Sequence, residues 1–245
     1  MEVHAHSHTE RKKWTHYLWE FLMLFLAVFC GFLAENQREH MVERNREKEF
    51  MTSLVKDLQL DTSQISRLRI YRLGKLRTLD TIIVFFANNA EKPVPSFIYS
   101  LSSRLFGHAG FFQNSGTLDQ LKTSGGLRLI RRRNVVDSIE AYDQQIKRIS
   151  LRDLYETNFS IDHNKLQHQL FDGITLLQIF ADSTYYNKHD PLSATVKINT
   201  QYLDEYLNSL RTYRFLIIND MDLQTIFKER AGRLITLIKK EYHLD

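Results

Sequence analysis

Residues 17–34 read YLWEFLMLFLAVFCGFLA, and this stretch decides how the rest of the chain is organised. Glu20 is its only charged side chain, and the other residues are apolar, aromatic or glycine. At about 1.5 Å per helical residue the stretch is roughly 27 Å long, close to the ~30 Å hydrocarbon core of a bilayer. We therefore predict one transmembrane helix over residues 14–34.

Three basic residues, Arg11, Lys12 and Lys13, precede the apolar stretch, as they would in a secretory signal peptide. A peptidase site needs small residues before the cut, and the sequence around Phe32 and Ala34 does not supply such a pair. The stretch is therefore predicted to remain in the protein as an uncleaved anchor.

The orientation of this anchor does not follow from its flanking charges alone. Arg38, Arg44, Arg46 and Lys48 on the far side outnumber the three basic residues that precede it. Long domains cross a membrane largely regardless of their charge, so the short amino-terminal tail carries more weight. We predict that residues 1–13 form a cytoplasmic tail and that the later domain lies outside, with the opposite orientation as the alternative.

Four residues at the start of the anchor are candidate contacts with lipid or with a neighbouring anchor: Glu20, Trp14, Tyr17 and Trp19. A glutamate inside a membrane helix suggests an ion or proton site, or a polar contact between two anchors. The alternative is that Glu20 extends to the lipid headgroups, because aromatic side chains mark the interface at this depth.

Residues 35–49 are charged on nearly every face of a helix, and Met41 and Val42 are their only large apolar residues. A helix that is polar all round bridges through water and does not pack into a core. We predict that the membrane helix continues as a charged helical stalk. Four acidic residues recur at every fourth position of this stalk and form either a solvated stripe or a surface for a basic partner: Glu35, Glu39, Glu43 and Glu47.

The composition favours long helices and excludes some kinds of site and partner. Glycine occurs 9 times and proline 3 times in 245 residues, so turn-forming residues are few. Cys30 is the only cysteine, which excludes an intrachain disulfide and a cysteine-based zinc site. The 33 basic and 29 acidic residues give a mixed charge, which argues against a nucleic-acid partner. We predict no cofactor and no metal.

An apolar pattern with steps of three and four residues begins at Phe50 and predicts an amphipathic helix that reaches about Asn88. Asp61, Thr62 and Arg72 interrupt its apolar seam, so the pattern is not that of a regular coiled coil. We expect one face of this helix to pack against the helices that follow.

The later segments are also predicted to be helical. Short helices are expected over about 96–106 and from Thr117, the latter with a capping box at Gln120 and a glycine stop at Gly125. Longer helical patterns follow over about 135–155, 166–180, 202–217 and 223–238. In this interpretation Asp220 and Asp222 mark the start of the last helix.

The best strand candidate, residues 194–198, is short, and sustained alternation of apolar and polar residues appears nowhere else. The predicted fold class is therefore all-α: an N-terminal transmembrane helix continuing into a stalk, then an irregular antiparallel helical bundle over residues 50–245.

Several features together resemble one protein family. They are the apolar anchor behind a short basic tail, the Asn- and Glu-rich exit, and Ser124, Gly125, Leu127, Leu129 and Ile130 before a helix with Tyr142. The chain is similar here to an uncharacterised bacterial family of single-pass, mostly helical membrane proteins, over about residues 12–60 and 110–145. It departs from the family pattern at Asp143, where a second aromatic residue is common. The resemblance implies the architecture only, and it offers no catalytic residues. From the orientation argument we expect a bacterial inner-membrane protein whose outer domain lies in the periplasm.

Four arginines follow the Gly125-Gly126 turn: Arg128, Arg131, Arg132 and Arg133. A phosphate-binding loop would need a lysine-serine pair after the glycines and a strand before them, and the sequence has neither. The arginines are predicted to pair with acidic groups of the protein, with an anionic partner or lipid headgroups as the alternative.

The leading functional hypothesis is a non-enzymatic, membrane-anchored scaffold or accessory subunit that acts through protein–protein contacts. Homo-oligomerisation is a secondary prediction, based on Glu20 and the long amphipathic helix. One alternative is a single-pass receptor whose helical domain binds a ligand. Another is a metal-dependent hydrolase that uses His163 and His189. The five-residue separation of His163 and His168 places them on different helix faces and argues against a metal pair.

Overall fold

The computed structural model describes residues 14–89, 93–174, 177 and 195–244. Its helices and strands are α1 (Trp14–Asn89), β1 (Val94–Pro95), α2 (Ser96–Ser103), α3 (Gly116–Thr123), α4 (Arg133–Leu170), β2 (Thr195–Val196) and α5 (Leu203–Tyr242). Short 3-10 helices cover Arg104–Phe106, Gly126–Leu129 and Thr200–Tyr202. The predicted all-α class is confirmed, and so is the long first helix, which was expected to reach about Asn88.

The chain divides into two compact units, Met1–Phe50 and Met51–Asp245. In the first unit, α1 contains an 18-residue window of mean hydropathy 2.0 in which no residue is buried. This segment is long and apolar enough to cross a membrane. Further along the same helix, the guanidinium of Arg38 binds the carboxylate of Glu35 at 2.5 and 2.9 Å. That pairing offsets part of the repulsion along the acidic stripe.

In the second unit, the later part of α1 forms one side of a three-helix interior. Its buried apolar residues recur at helical spacing and include Met51, Leu54, Leu58, Ile65, Leu79, Ile82 and Phe86. Helix α5 runs antiparallel to α1, since Arg69 contacts Thr225 at 2.9 Å and Asp80 contacts Arg214 at 2.6 Å. The apolar face predicted for α1 therefore packs against a later helix.

Helix α4 runs parallel to α1, because the segment between them returns along α1 before α4 begins. In order along this return, Gly107 O accepts from Tyr71, Asn114 N donates to Asp61, and the amide of Thr117 donates to Asp57. These contacts move steadily back towards the start of the unit. Helix α4 thus begins level with the early part of α1 and continues in the same direction.

Two local predictions about the start and end of α3 had different outcomes. The capping box is wrong: α3 begins at Gly116 without a side-chain cap. Its Thr117 amide instead donates to the carboxylate of Asp57 on α1 at 3.2 Å. The glycine stop is confirmed, since Gly125 adopts φ +71°, a left-handed conformation that glycine reaches without strain.

The predicted division of the carboxy-terminal half into four helices is wrong. Helix α4 continues unbroken to Leu170, and α5 extends from Leu203 to Tyr242, with Asp220 in its interior. The apolar pattern stopped early because several buried positions in these helices are polar: Glu156, Ser160, His163, Asn164 and Gln167 in α4, and Asp220 and Gln224 in α5. The helices continue through these positions, where hydrophobicity does not mark the inner face.

A small antiparallel strand pair closes one end of the second unit. Val94 pairs with Val196 and Pro95 with Thr195, so the short segment predicted as the best strand candidate does contain a strand. Beside it, Leu170 and Phe171 end α4 within an apolar cluster that includes Phe86, Tyr99 and Tyr206. Phe180, predicted to lie on a helix, is outside the described residues.

Candidate functional site

A buried guanidinium, that of Arg72, is the centre of the most unusual part of the second unit. Its side chain is 1% exposed, and Nη2 donates to Glu156 Oε2 at 2.8 Å and to Asp153 Oδ1 at 3.1 Å. Both carboxylates come from α4, three residues apart and therefore on one helical face. Among the described residues, Arg72 Nε and Nη1 have no hydrogen-bond acceptor. A buried N–H group without an acceptor is costly, so this guanidinium retains capacity to bind a polar group.

Lys75 lies one helical turn beyond Arg72 and is almost equally buried. Its ammonium donates to Gly107 O at 2.6 Å and to the hydroxyl of Tyr213, and lies 3.7 Å from Glu156 Oε1. The same ammonium lies 4.5 Å from the centre of the Tyr213 ring, within the range of a cation–π interaction. Lys75 thus joins α1 to α4, to α5 and to the return segment.

Three side chains of this region could in principle ligate a metal ion: His108, Asp153 and Glu156 have ligand atoms within 4.8 Å of one another. Two buried cations, Arg72 and Lys75, already neutralise the two carboxylates. Asp153 Oδ2 also accepts the backbone N–H of Phe111 at 2.8 Å. A divalent cation would have to compete with these contacts and would meet the repulsion of two nearby cations. We therefore interpret Arg72, Lys75, His108, Asp153 and Glu156 as an ion network.

The pKa values in the ion network reflect competition between burial and charge. Burial raises the pKa of Glu156, but its hydrogen bond with His108 and the positive charges of Arg72 and Lys75 prevail and lower it to about 2. Burial lowers the pKa of Lys75 to about 8, against the opposing attraction of Glu156. Glu156 is therefore ionised at neutral pH, and Lys75 is mostly protonated.

A second ion pair, between Arg152 and Asp220, links α4 to α5 beside the ion network. Arg152 Nε donates to Asp220 Oδ1 at 2.8 Å, whereas Asp220 Oδ2 is buried without a donor among the described residues. Burial raises the pKa of Asp220 to about 6, although the hydrogen bond from Arg152 lowers it. Asp220 was predicted to start a helix, and this prediction is wrong because the residue lies on the inner face of α5.

His163, one of the residues proposed for a metal-dependent hydrolase, lies in the aromatic core. Its Nδ1 is 2.8 Å from Ser209 Oγ, and its ring stacks on that of Tyr206 at 5.2 Å between centroids. Burial, together with the charge of Lys75, lowers the pKa of His163 to about 4, so the ring is neutral at physiological pH. His168 is exposed on another face, as the spacing predicted, and His189 lies outside the described residues.

The four predicted arginines are all exposed near the start of α4: Arg128, Arg131, Arg132 and Arg133. Arg132 forms an ion pair with Glu241 at the end of α5, and its guanidinium carbon lies 6.0 Å from the centre of the Tyr242 ring. Arg132 thus has an acidic partner within the protein, as the sequence suggested. Binding of an anionic partner or of lipid headgroups by this group stays a prediction.

The four predicted contact residues of the anchor are exposed on the first part of α1: Trp14, Tyr17, Trp19 and Glu20. Glu20 Oε1 lies 2.9 Å from Nε2 of His16, one turn earlier on the same helix. Contact of these four side chains with lipid or with another anchor stays a prediction.

A groove between α4 and α5 has a volume of about 550 Å³ and is lined by Ser138, Ala141, Tyr142, Arg230, Arg233, Leu234 and Leu237. The hydroxyl of Tyr142, at its base, donates to Asp61 on α1. Two arginines give the groove a positive character. It is the place in the described residues where the receptor alternative would be tested first.

Sequence analysis missed the ion network, although one signal for it was present. Arg72 was identified only as an interruption of an apolar seam, and Glu156 lay beyond the point where the apolar pattern of α4 faded. A charged residue on the apolar face of a predicted helix, as Arg72 is, indicates a buried ion pair with an oppositely charged residue elsewhere in the chain. No family model, curated protein or solved structure matches the chain.

Proposed function

We propose that this chain is a single-pass, non-enzymatic scaffold or accessory subunit of the bacterial inner membrane that acts through protein–protein contacts. In this proposal residues 14–34 span the bilayer, residues 1–13 are cytoplasmic, and the helical unit lies in the periplasm. The protein partner is to be identified by experiment, and association between copies is part of the proposal.

The observation that carries the proposal is the composition of the single helix α1. Its early part contains the apolar window in which no residue is buried. Its later part supplies buried apolar residues such as Met51, Leu79 and Phe86 to the second unit. One continuous helix thus contains an unburied apolar segment and a structural element of the folded unit. This is the composition expected of a domain tethered to a membrane.

The ion network supports a structural role for the charged groups of the interior. Arg72, Lys75 and Glu156 each contact a group from another helix or from the return segment. Such contacts hold the helices in register and give the unit a defined surface. A defined surface is the property that a scaffold needs.

Membrane association can be tested with a matched pair of double variants of the full chain. Leu24→Lys with Val28→Lys places two charges near the centre of the apolar stretch, where each lysine costs about 3 kcal/mol of insertion free energy. We expect this variant to leave the carbonate-washed membrane pellet. Gln37→Lys with Met41→Lys adds the same charges at the same spacing outside the stretch and should stay in the pellet. A wild-type chain recovered in the soluble fraction would overturn the proposal.

Topology can be tested by cysteine labelling, because Cys30 is the only native cysteine. In a Cys30→Ser background, Asn208→Cys introduces an exposed thiol on α5, and Ser7→Cys introduces one in the tail. We expect a small membrane-impermeant maleimide to label position 208 in intact cells and position 7 only after lysis. The reverse pattern would place the helical unit in the cytoplasm.

The scaffold proposal predicts stable protein partners in the native membrane. After mild solubilisation, tagged wild-type chain should retain a defined set of proteins, which the Leu24→Lys, Val28→Lys variant should lose while the Gln37→Lys, Met41→Lys variant keeps them. If the wild-type chain retains no more protein than an unrelated single-pass control, the scaffold role is overturned.

A further inference from the structure

Helix α4 has a second apolar face, on the side opposite to the core. Leu151, Leu154 and Ile161 lie on this face with Tyr155 at its edge, and each of the four side chains is more than half exposed. Asn158, also exposed, lies between them. We name these five residues the outer stripe. Isolated exposed apolar residues are common, but a run at helical spacing on one face indicates an interaction surface.

The outer stripe follows a heptad frame. With Leu151 and Asn158 at position a, Leu154 and Ile161 occupy position d. Position f of the same frame is opposite, and its residues are all buried in the unit: Ile149, Glu156, His163 and Leu170. Helix α4 therefore turns one face to its own core and presents an a/d seam on the other, which is the pattern of a coiled-coil surface.

The identity of the residues indicates what occupies this seam. Asparagine at an a position is poorly matched with an apolar residue but forms a hydrogen bond with a second asparagine in a parallel pair, where a faces a. In a parallel pair of identical helices, Asn158 meets Asn158 while Leu151, Leu154 and Ile161 each meet their own copy. The seam is thus complementary to itself, as a two-fold interface requires.

One pair of flanking charges is complementary in the parallel arrangement, and it offsets the repulsion between the two copies of Lys147, which lies at position d of the same heptad. Asp143 lies at a g position and Arg148 at the following e position, so Asp143 of one copy faces Arg148 of the other, twice by symmetry. Within its own chain, Asp143 Oδ1 accepts from Lys122 at 2.5 Å and Oδ2 is 3.2 Å from Lys147. Arg148 is exposed and would add a cation from the second copy to this group.

We infer that a second copy of this chain packs on the outer stripe, with the two α4 helices parallel and Asn158 paired across the two-fold axis. The inference rests on the proposed membrane anchoring. Eleven residues, from 151 to 161, extend only about 16 Å along the helix, which is short for a standard interface. Confinement of both copies in one membrane raises their effective concentration, so a short seam suffices.

The test is disulfide cross-linking of the full chain in native membranes, in a Cys30→Ser background. Leu151→Cys should form a covalent dimer on mild oxidation, because position 151 faces itself in a parallel pair. In an antiparallel pair centred on the stripe, the two 151 positions would be about 15 Å apart, too far for a disulfide. Cross-linking only when Leu151→Cys and Ile161→Cys chains are mixed would overturn the parallel arrangement.

A second set of variants separates a specific interface from random collision. Adding Leu154→Lys and Ile161→Lys to the Leu151→Cys chain should reduce the cross-linked fraction at least about tenfold. A matched addition, Leu60→Lys with Ile70→Lys, alters two exposed apolar residues of α1 and should leave that fraction unchanged. If both pairs of lysine substitutions reduced the cross-linked fraction equally, the interface would be overturned. Efficient cross-linking through Asn208→Cys on α5 would overturn it as well.

Failure of this inference can be told apart from failure of the anchor. Membrane retention is measured in the same samples by carbonate extraction. A chain that stays in the pellet but does not cross-link at position 151 would overturn the interface and leave the proposed anchoring intact. A chain absent from the pellet would overturn the anchoring whatever the cross-linking shows.

Discussion

The interior of the helical unit is built differently in two regions, one midway along its helices and one at the end with the strand pair, although both are equally removed from water. Arg72, in the ion network, is 1% exposed, and Phe86, in the apolar cluster near the strand pair, is 2% exposed. Around Phe86 the neighbours are aromatic and aliphatic, including Tyr206 and Leu210. Around Arg72 they are Asp153, Glu156 and, one turn on, Lys75.

Burial of the apolar cluster is non-directional, whereas burial of the ion network depends on specific partners. Substitutions in an apolar cluster lower the free energy of unfolding roughly in proportion to the atoms removed. Removal of one member of a buried ion network leaves another charge buried without compensation. Conservative substitutions should therefore separate the two regions more clearly than drastic ones.

The largest effect is expected from Arg72→Met, which leaves Asp153 and Glu156 buried with one fewer cation. We expect a loss of about 3–5 kcal/mol in the free energy of unfolding. The matched control Arg77→Met, at an exposed position of the same helix, should change it by less than about 0.5 kcal/mol. Urea unfolding of the full chain in detergent, followed by far-ultraviolet circular dichroism, measures both.

Circular dichroism is the appropriate probe because both tryptophans, Trp14 and Trp19, lie in the first unit. Adding Glu156→Gln to Arg72→Met removes the orphaned charge and should recover part of the lost stability. If Arg72→Met proves no more destabilising than Arg77→Met, the ion network does not stabilise the unit.

The next largest expected effect is a pH dependence of the free energy of unfolding that originates at His163. Its pKa is about 4 in the folded protein and about 6.5 in an unfolded chain, so the unfolded state alone binds a proton between these values. Stability should therefore fall as the pH decreases, by about 2 kcal/mol between about pH 6.5 and about pH 5 from this residue. His163→Gln should remove that part of the dependence.

Asp220 contributes to the pH dependence of stability with the opposite sign, because its pKa is raised to about 6 in the folded protein. Its protonated form is favoured by folding, so its contribution is complete below the unfolded pKa of about 4 and is lost as the pH rises through about 6. Asp220 is present in both the wild type and His163→Gln, so their difference isolates His163. Identical pH profiles for the two proteins would show that His163 is not held neutral by burial.

The smallest effect is expected in the apolar cluster near the strand pair. Ile82→Val removes one methylene group from a fully buried side chain and should cost about 1 kcal/mol. Arg72→Lys is also conservative because it keeps the positive charge. It loses the planar set of N–H donors of the guanidinium, however, and should lower the free energy of unfolding by more than Ile82→Val does. Equal costs, measured in the same urea titrations, would remove the distinction between the ion network and the apolar cluster.

Sequence analysis predicted the elements that hydrophobicity specifies directly. The apolar stretch, the long first helix and the glycine stop at Gly125 all follow from local composition and backbone freedom. It failed where the inner face of a helix is polar. Glu156 and His163 continue the buried face of α4, and Asp220 continues that of α5, so the helices were divided where their apolar pattern ended.

The start of α3 and the direction of α4 also could not be predicted from the local sequence. Asp57 accepts the Thr117 amide across 60 residues, which no capping rule within the helix could predict. Helix α4 runs parallel to α1 because the intervening segment returns along α1, and this path depends on contacts such as that of Asn114 with Asp61.

The sequence by itself determined that this protein has an apolar segment of membrane-spanning length and a helical body, because both depend on the order of apolar residues along the chain. Only the tertiary structure decided which charges are buried together. Arg72 and Glu156 are 84 residues apart, and their pairing exists only once two helices lie side by side. The cost of burying a charge is set by its neighbours in space, and the linear sequence does not specify those neighbours.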